Sequence, residues 1–263
     1  MSKQDEYLQL VADIKNCHLC EKIKAPAYCK DGEFLKNDNH GYEENDKPSD
    51  QNVYVNRWNL WHGNLDADIM VIGQDYGYVK TDEKLTEAYW REVKPEKWKF
   101  TTDYRLYKLF LDVLGEGFDL TKRNLPLYFT NTACCYRQKD STSTINEAWY
   151  PICTSRYMGR LIRIIQPKMI VCLGQIPFSC MGCLEGFTFS CESKVYKSGT
   201  KPTLKEILDN RFRFSIEADG MHRIPVVPVY HPGAKININR PGKLELNDWK
   251  EVARIYEEEC RRV

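Results

Sequence analysis

The sequence predicts an α/β protein built on a central, mostly parallel four-stranded sheet. Four apolar runs carry that expectation: Asp68–Gly73, Leu125–Thr130, Lys168–Leu173 and Ile224–Tyr230. Each is short and continuously hydrophobic, as strands covered on both faces are. A second observation is the kind of residue that ends them: Gln74 and Asp75, Asn131, Gly174, and His231. In open α/β sheets ligands sit beyond the carboxyl ends of the strands. Gln74, Asp75, Asn131 and His231 are therefore expected to meet in one crevice, although they are scattered along the chain.

The amino-terminal segment is expected to be helical. Tyr7, Leu10, Val11 and Ile14 recur at helical spacing and lead into Cys17-His18-Leu19-Cys20. Lys24–Arg57 is polar and rich in Asn, Asp and Gly, which reads as a long loop or insertion. Tyr78–Lys99 is a second, charged insertion, expected to be partly helical. Leu106, Leu109, Phe110 and Val113 mark an amphipathic helix over Tyr104–Leu114, closed by Gly115. Met158, Leu161, Ile162 and Ile165 share one face of a helix within Ile145–Ile165, which Pro167 ends. A further helix is expected to start within Gln175–Cys183, and a short one around Leu204–Leu208, with a small hairpin inside Val195–Phe214. Leu246–Cys260 reads as a closing amphipathic helix. No internal repeat or linker stands out, so residues 1–263 are expected to form a single domain with polar insertions near 24–57 and 78–99.

Composition narrows the class. The chain has 263 residues, enough for one well-buried α/β core, with 42% hydrophobic and 29% charged residues. No apolar run approaches the roughly 20 residues that span a bilayer, so no membrane partner is expected. MSKQDEYLQL lacks the apolar stretch of a signal peptide, and a cytoplasmic setting is the expectation. There the 11 cysteines serve as thiols or metal ligands rather than disulfides. The net charge of +1 does not announce a nucleic-acid binder. Charge is uneven, however: Asp38–Asp50 is acidic, whereas Lys235, Arg240 and Lys243 come after His231.

Cys17 and Cys20 form a C-x-x-C pair, Cys134 and Cys135 are adjacent, and Cys153 opens a helix-like segment. Two residues between cysteines let both sulfurs face one metal, and four thiolates hold zinc or an iron–sulfur cluster. Cys180 and Cys183 make a second C-x-x-C, which with the first would complete a zinc site. Their apolar, helix-like surroundings favour small buried residues instead.

Four stretches carry a resemblance: LWHGNLDADIMVIG over Leu60–Gly73, YFTNTACC over Tyr128–Cys135, Cys153 with LIRIIQPKMIVCLG over Leu161–Gly174, and His231-Pro232-Gly233 with its basic loop. In order and spacing they resemble the iron–sulfur uracil-DNA glycosylases, the family-four type of that superfamily. The resemblance implies a three-layer α/β/α fold and hydrolysis of the N-glycosidic bond of a flipped-out pyrimidine in single- or double-stranded DNA by a monomer. It implies Cys17, Cys20, Cys135 and Cys153 as ligands of a structural 4Fe-4S cluster; the register from Asn131 selects Cys135 over Cys134. It assigns Asp75 to the attacking water or the cationic sugar, with Gln74 beside it, and His231 to the departing base. Asn131 would read the base edge, Phe100 would stack on the base, and Gly73, Tyr76 and Gly77 would line it. Lys235, Asn239 and Arg240 would contact backbone phosphates.

Taken singly, Asp75 reads as a turn or helix-cap residue, His231 as a surface residue before proline, Asn131 as a turn former and Phe100 as a core aromatic. Their convergence and the resemblance favour the functional roles for all of them but Phe100. The first motif departs from the families: Tyr76 stands where they carry proline, and Gly77 where family-one enzymes carry the tyrosine that closes the C5 side of the base. Gln74 stands where family-four enzymes carry an acid. A wider C5 side suggests a hydroxymethylated or glucosylated cytosine of phage DNA, and hence phage defence rather than DNA repair. A catalytically silent nucleic-acid-binding module and an unrelated zinc protein are the competing classes.

Overall fold

All four apolar runs form strands, and the reason they are apolar throughout is visible in the packing. The computed structural model describes residues 1–15, 17, 19, 64–75, 101–115, 117, 125–134, 147–192, 202–233 and 236–261. Cys20, Tyr76, Gly77, Phe100, Cys135, Lys235 and both polar insertions lie outside the described residues.

The strands are β1 (Ile69–Gly73), β2 (Leu127–Asn131), β3 (Met169–Leu173), β4 (Thr188–Cys191), β5 (Phe214–Glu217) and β6 (Ile224–Val229). Among the described residues they make one sheet in the order β2-β1-β3-β6-β5-β4. The first four in that order are parallel, with Gly73 opposite Asn131 and Leu173 opposite Val229. Their carboxyl ends therefore finish level. The expected four-stranded sheet is its parallel part; β5 and β4 extend it antiparallel from β6.

The helices are α1 (Lys3–Lys15), α2 (Thr101–Leu114), α3 (Trp149–Cys153), α4 (Gly159–Ile165), α5 (Gln175–Cys180), α6 (Leu204–Asn210), α7 (Ile236–Asn239) and α8 (Lys243–Arg261). Side chains alternate across each parallel strand, and both faces are covered. Met70, Ile72, Ile170 and Val226 pack with Tyr7 and Leu10 of α1, Ile162 and Ile165 of α4, and Phe178 of α5. Ile69, Val71, Phe129 and Val171 pack with Leu106 and Phe110 of α2 and Trp249 and Val252 of α8. Phe110 is central to that second layer, meeting Phe129 at 5.8 Å and Trp249 at 5.1 Å, both edge to face. Three layers result: helix, sheet, helix.

Local signals act where expected. Helix α2 ends at Gly115, whose φ of 85° is left-handed. Helix α4 closes on Gln166 just before Pro167. Thr203 caps α6 in a reciprocal capping box with Glu206. Between α3 and α4, Thr154–Met158 forms a π-helical turn that the sequence does not signal. Among the described residues no helix is long and apolar enough to cross a membrane.

Candidate active site

The candidate residues stand at the carboxyl edge of the parallel strands. The first of them lie on the seam between the chain leaving β1 and the chain leaving β2. Thr132 donates its backbone N–H to the Gly73 carbonyl at 2.8 Å and its hydroxyl to the same oxygen at 2.9 Å. Ala133 donates its backbone N–H to the Gln74 carbonyl at 3.0 Å. These bonds continue the ladder past the strands and fix the start of each loop. Asn131 is buried at 7% exposure, and its carboxamide lies directly over the α-carbon of Gly73. A side chain at position 73 would meet that carboxamide, so glycine is required there for close approach.

Asp75 and Gln74 share a partner that sequence reasoning missed. The Tyr150 hydroxyl accepts a hydrogen bond from Gln74 Nε2 at 2.8 Å and lies 3.5 Å from Asp75 Oδ2. Tyr150 is an aromatic inside an apolar Trp-Tyr-Pro stretch, and that context signals core packing. Only the fold shows that its hydroxyl reaches the end of β1.

His231 stands just beyond β6. Gly233 donates its N–H to the His231 carbonyl at 2.8 Å, folding the chain back so tightly that a β-carbon on Gly233 would lie 2.9 Å from His231 Nδ1. Arg105 of α2 donates to the Gly233 carbonyl at 3.3 Å, tying this turn to the second helical layer. The His231 side chain is exposed by area, yet surrounding protein desolvates the imidazole and lowers its pKa below the ordinary histidine value. The Asp75 carboxylate opposes this more weakly, raising it. Strand β3 lies between the strands that lead into Asp75 and His231.

Beside His231 opens a crevice of about 550 Å³ lined by Gly174, Gln175, Thr203, Lys205, Tyr230 and Asn239, among others. Asn239 lines this crevice. Arg240 does not. Its guanidinium is buried, bonded to both carboxylate oxygens of Asp248 at 2.8 and 2.9 Å and to Asp209 at 2.7 Å. The expectation that Arg240 contacts phosphate is corrected: two carboxylates already neutralise and enclose it. A basic residue in a loop reads as solvent-facing, and its partners lie on other elements.

A family model described as the uracil DNA glycosylase superfamily matches residues 60–252. The chain belongs to the uracil DNA glycosylase superfamily. Members of this superfamily are DNA glycosylases. The match contains Asp75, Asn131 and His231, whereas Cys17 and Cys20 precede it. No curated protein matches the chain.

Cys17 and Cys134 pack against the α1 layer of the sheet. The Tyr157 hydroxyl in the π-helical turn hydrogen-bonds Cys17. Burial, foremost, and the thiols of Cys17, Cys134 and Cys153 push the Tyr157 pKa up. Among the described residues no group of three or more His, Cys, Asp or Glu side chains forms a metal site; Cys20 and Cys135 lie outside them. In the other C-x-x-C, Cys180 is buried and Cys183 is exposed at the end of a 3₁₀ turn.

Proposed function

We propose that this protein is a DNA glycosylase that removes a flipped-out pyrimidine, uracil or a C5-modified base, and leaves an abasic site. The observation that carries this reading is the placement of Asp75, Asn131 and His231 on one strand edge, with Asp75 electrostatically coupled to His231. Cleaving the bond develops positive charge on the sugar and negative charge on the departing base. Asp75 supplies the negative charge that steadies the sugar and accepts the proton of the attacking water, whose oxygen bonds to C1′. His231, held toward its neutral form, donates an N–H to the base carbonyl as that oxygen gains charge. Buried Asn131 offers a donor and an acceptor to the base edge.

Cys17, Cys20, Cys135 and Cys153 are the proposed ligands of a 4Fe-4S cluster, supported by the hydrogen bond of Cys17 to Tyr157, four residues after Cys153. The cluster would supply cross-linking, pinning α1 and the loop after Asn131 to α3.

For the base itself, glycine at position 77 supports a substrate with a substituent at C5, such as hydroxymethylated or glucosylated cytosine. The test is base release from oligonucleotides containing uracil, thymine, hydroxymethylcytosine or its glucoside, in single and double strands, scored as alkali-labile abasic sites. Release of a bulky pyrimidine supports the open C5 side, and release of uracil alone removes it. No release from iron-loaded protein that still binds DNA overturns the enzymatic reading in favour of a binding module.

A further inference from the structure

Tyr150 is 3% exposed, and the end of its side chain reaches two residues just beyond β1. Gln74 Nε2 donates to the hydroxyl oxygen at 2.8 Å. A hydroxyl that accepts on one side directs its own proton elsewhere, and Asp75 Oδ2 is in reach at 3.5 Å. We infer that Tyr150 is a positioning residue for Asp75, and that Gln74 orients Tyr150 rather than touching the reacting atoms. This inference rests on the glycosylase reading above.

The direction of the chain is what matters. Nitrogen of Gln74 gives to Tyr150, and Tyr150 gives to the carboxylate of Asp75. An acid at position 74 would compete for the same phenolic proton, and Asp75 would lose its orienting donor. Glutamine removes that competition. Tyr150 also lies three residues before Cys153 on α3.

The experiment is a double-mutant cycle on single-turnover base release, using the substrate that the oligonucleotide panel identifies. Tyr150→Phe is expected to lower kcat about tenfold or more, because a hydrogen bond to a charged group is lost. KM and DNA affinity by fluorescence anisotropy stay within about twofold. In the slow Asp75→Asn background the same change is expected to cost less than about twofold, since the carboxylate it served is gone. Gln74→Glu should reproduce the kcat loss without altering KM. Gln74→Ala serves as the second route should Tyr150→Phe fold poorly, because it leaves α3 intact. Equal kcat in Tyr150→Phe and wild type, or an equal loss in both backgrounds, overturns the positioning role alone. Absence of release by wild type overturns the glycosylase reading and takes this role with it.

Discussion

The carboxamide of Asn131 occupies the space that a side chain on Gly73 would need. Gly73 and Asn131 are register partners at the ends of neighbouring parallel strands. The residue that would read the base is therefore seated by the absence of atoms on its neighbour.

Gly73→Ala should displace Asn131 without unfolding the protein. Forcing a methyl group into a packed site costs about 1–3 kcal/mol. A lowered urea midpoint together with a raised KM for base release is the expected result. An unchanged KM would show that Asn131 does not read the base.

The lowered pKa of His231 makes stability depend on pH. The unfolded chain takes up a proton near the ordinary value of 6.5, and the folded protein does so only at lower pH. Between those values the unfolded state binds more protons, so stability is full above 6.5 and falls as pH drops through the folded pKa. Urea midpoints at about pH 7.5 and pH 5.5 measure this. His231→Gln should shrink the difference between them.

Arg240→Ala should act on stability and not on DNA. The Arg240 and Asp248 side chains are 6% and 7% exposed, and removing one partner of such a pair costs about 3–5 kcal/mol. The salt dependence of DNA affinity should stay unchanged, because no phosphate contact is lost. A shallower salt slope in this variant would restore the phosphate role.

Cys17→Ser and Cys153→Ser should each lose iron and acid-labile sulfide, measured chemically on purified protein. Cys180→Ser and Cys183→Ser should retain both. Iron retained in Cys153→Ser would remove it from the proposed ligand set.

Four strands and the main amphipathic helices are legible in the sequence because burial on both faces forces an unbroken apolar run, and burial on one face forces a helical period. The β4–β5 hairpin is not: the sequence reading places a hairpin within Val195–Phe214, yet the strands are Thr188–Cys191 and Phe214–Glu217. Strand β4 is an edge strand whose residues alternate between exposed and half-buried, so it leaves no continuous signature. The π-helical turn is hidden because Thr154–Met158 carries no Gly or Pro to mark a break, and the helical backbone runs through it without interruption. Asp75, Asn131 and His231 are legible from their positions after strands. Tyr150 is not, since an aromatic side chain declares its ring in a sequence and hides what its hydroxyl will touch. Arg240 misleads for the reverse reason: its charge is plain, but the carboxylates that absorb it lie on α6 and α8.

Strand β6 comes after the other five strands in the chain, yet it sits between β3 and β5. During synthesis the amino-terminal portion emerges first, so β2-β1-β3 and the β4–β5 hairpin exist before the strand that joins them. Each has an unpaired edge waiting for β6, and such edges invite pairing with other chains. His231 stands two residues past the end of that joining strand. A growing or truncated chain that presents Asp75 and Asn131 therefore still lacks His231. Under the proposed activity, base release would be withheld until the sheet closes on β6.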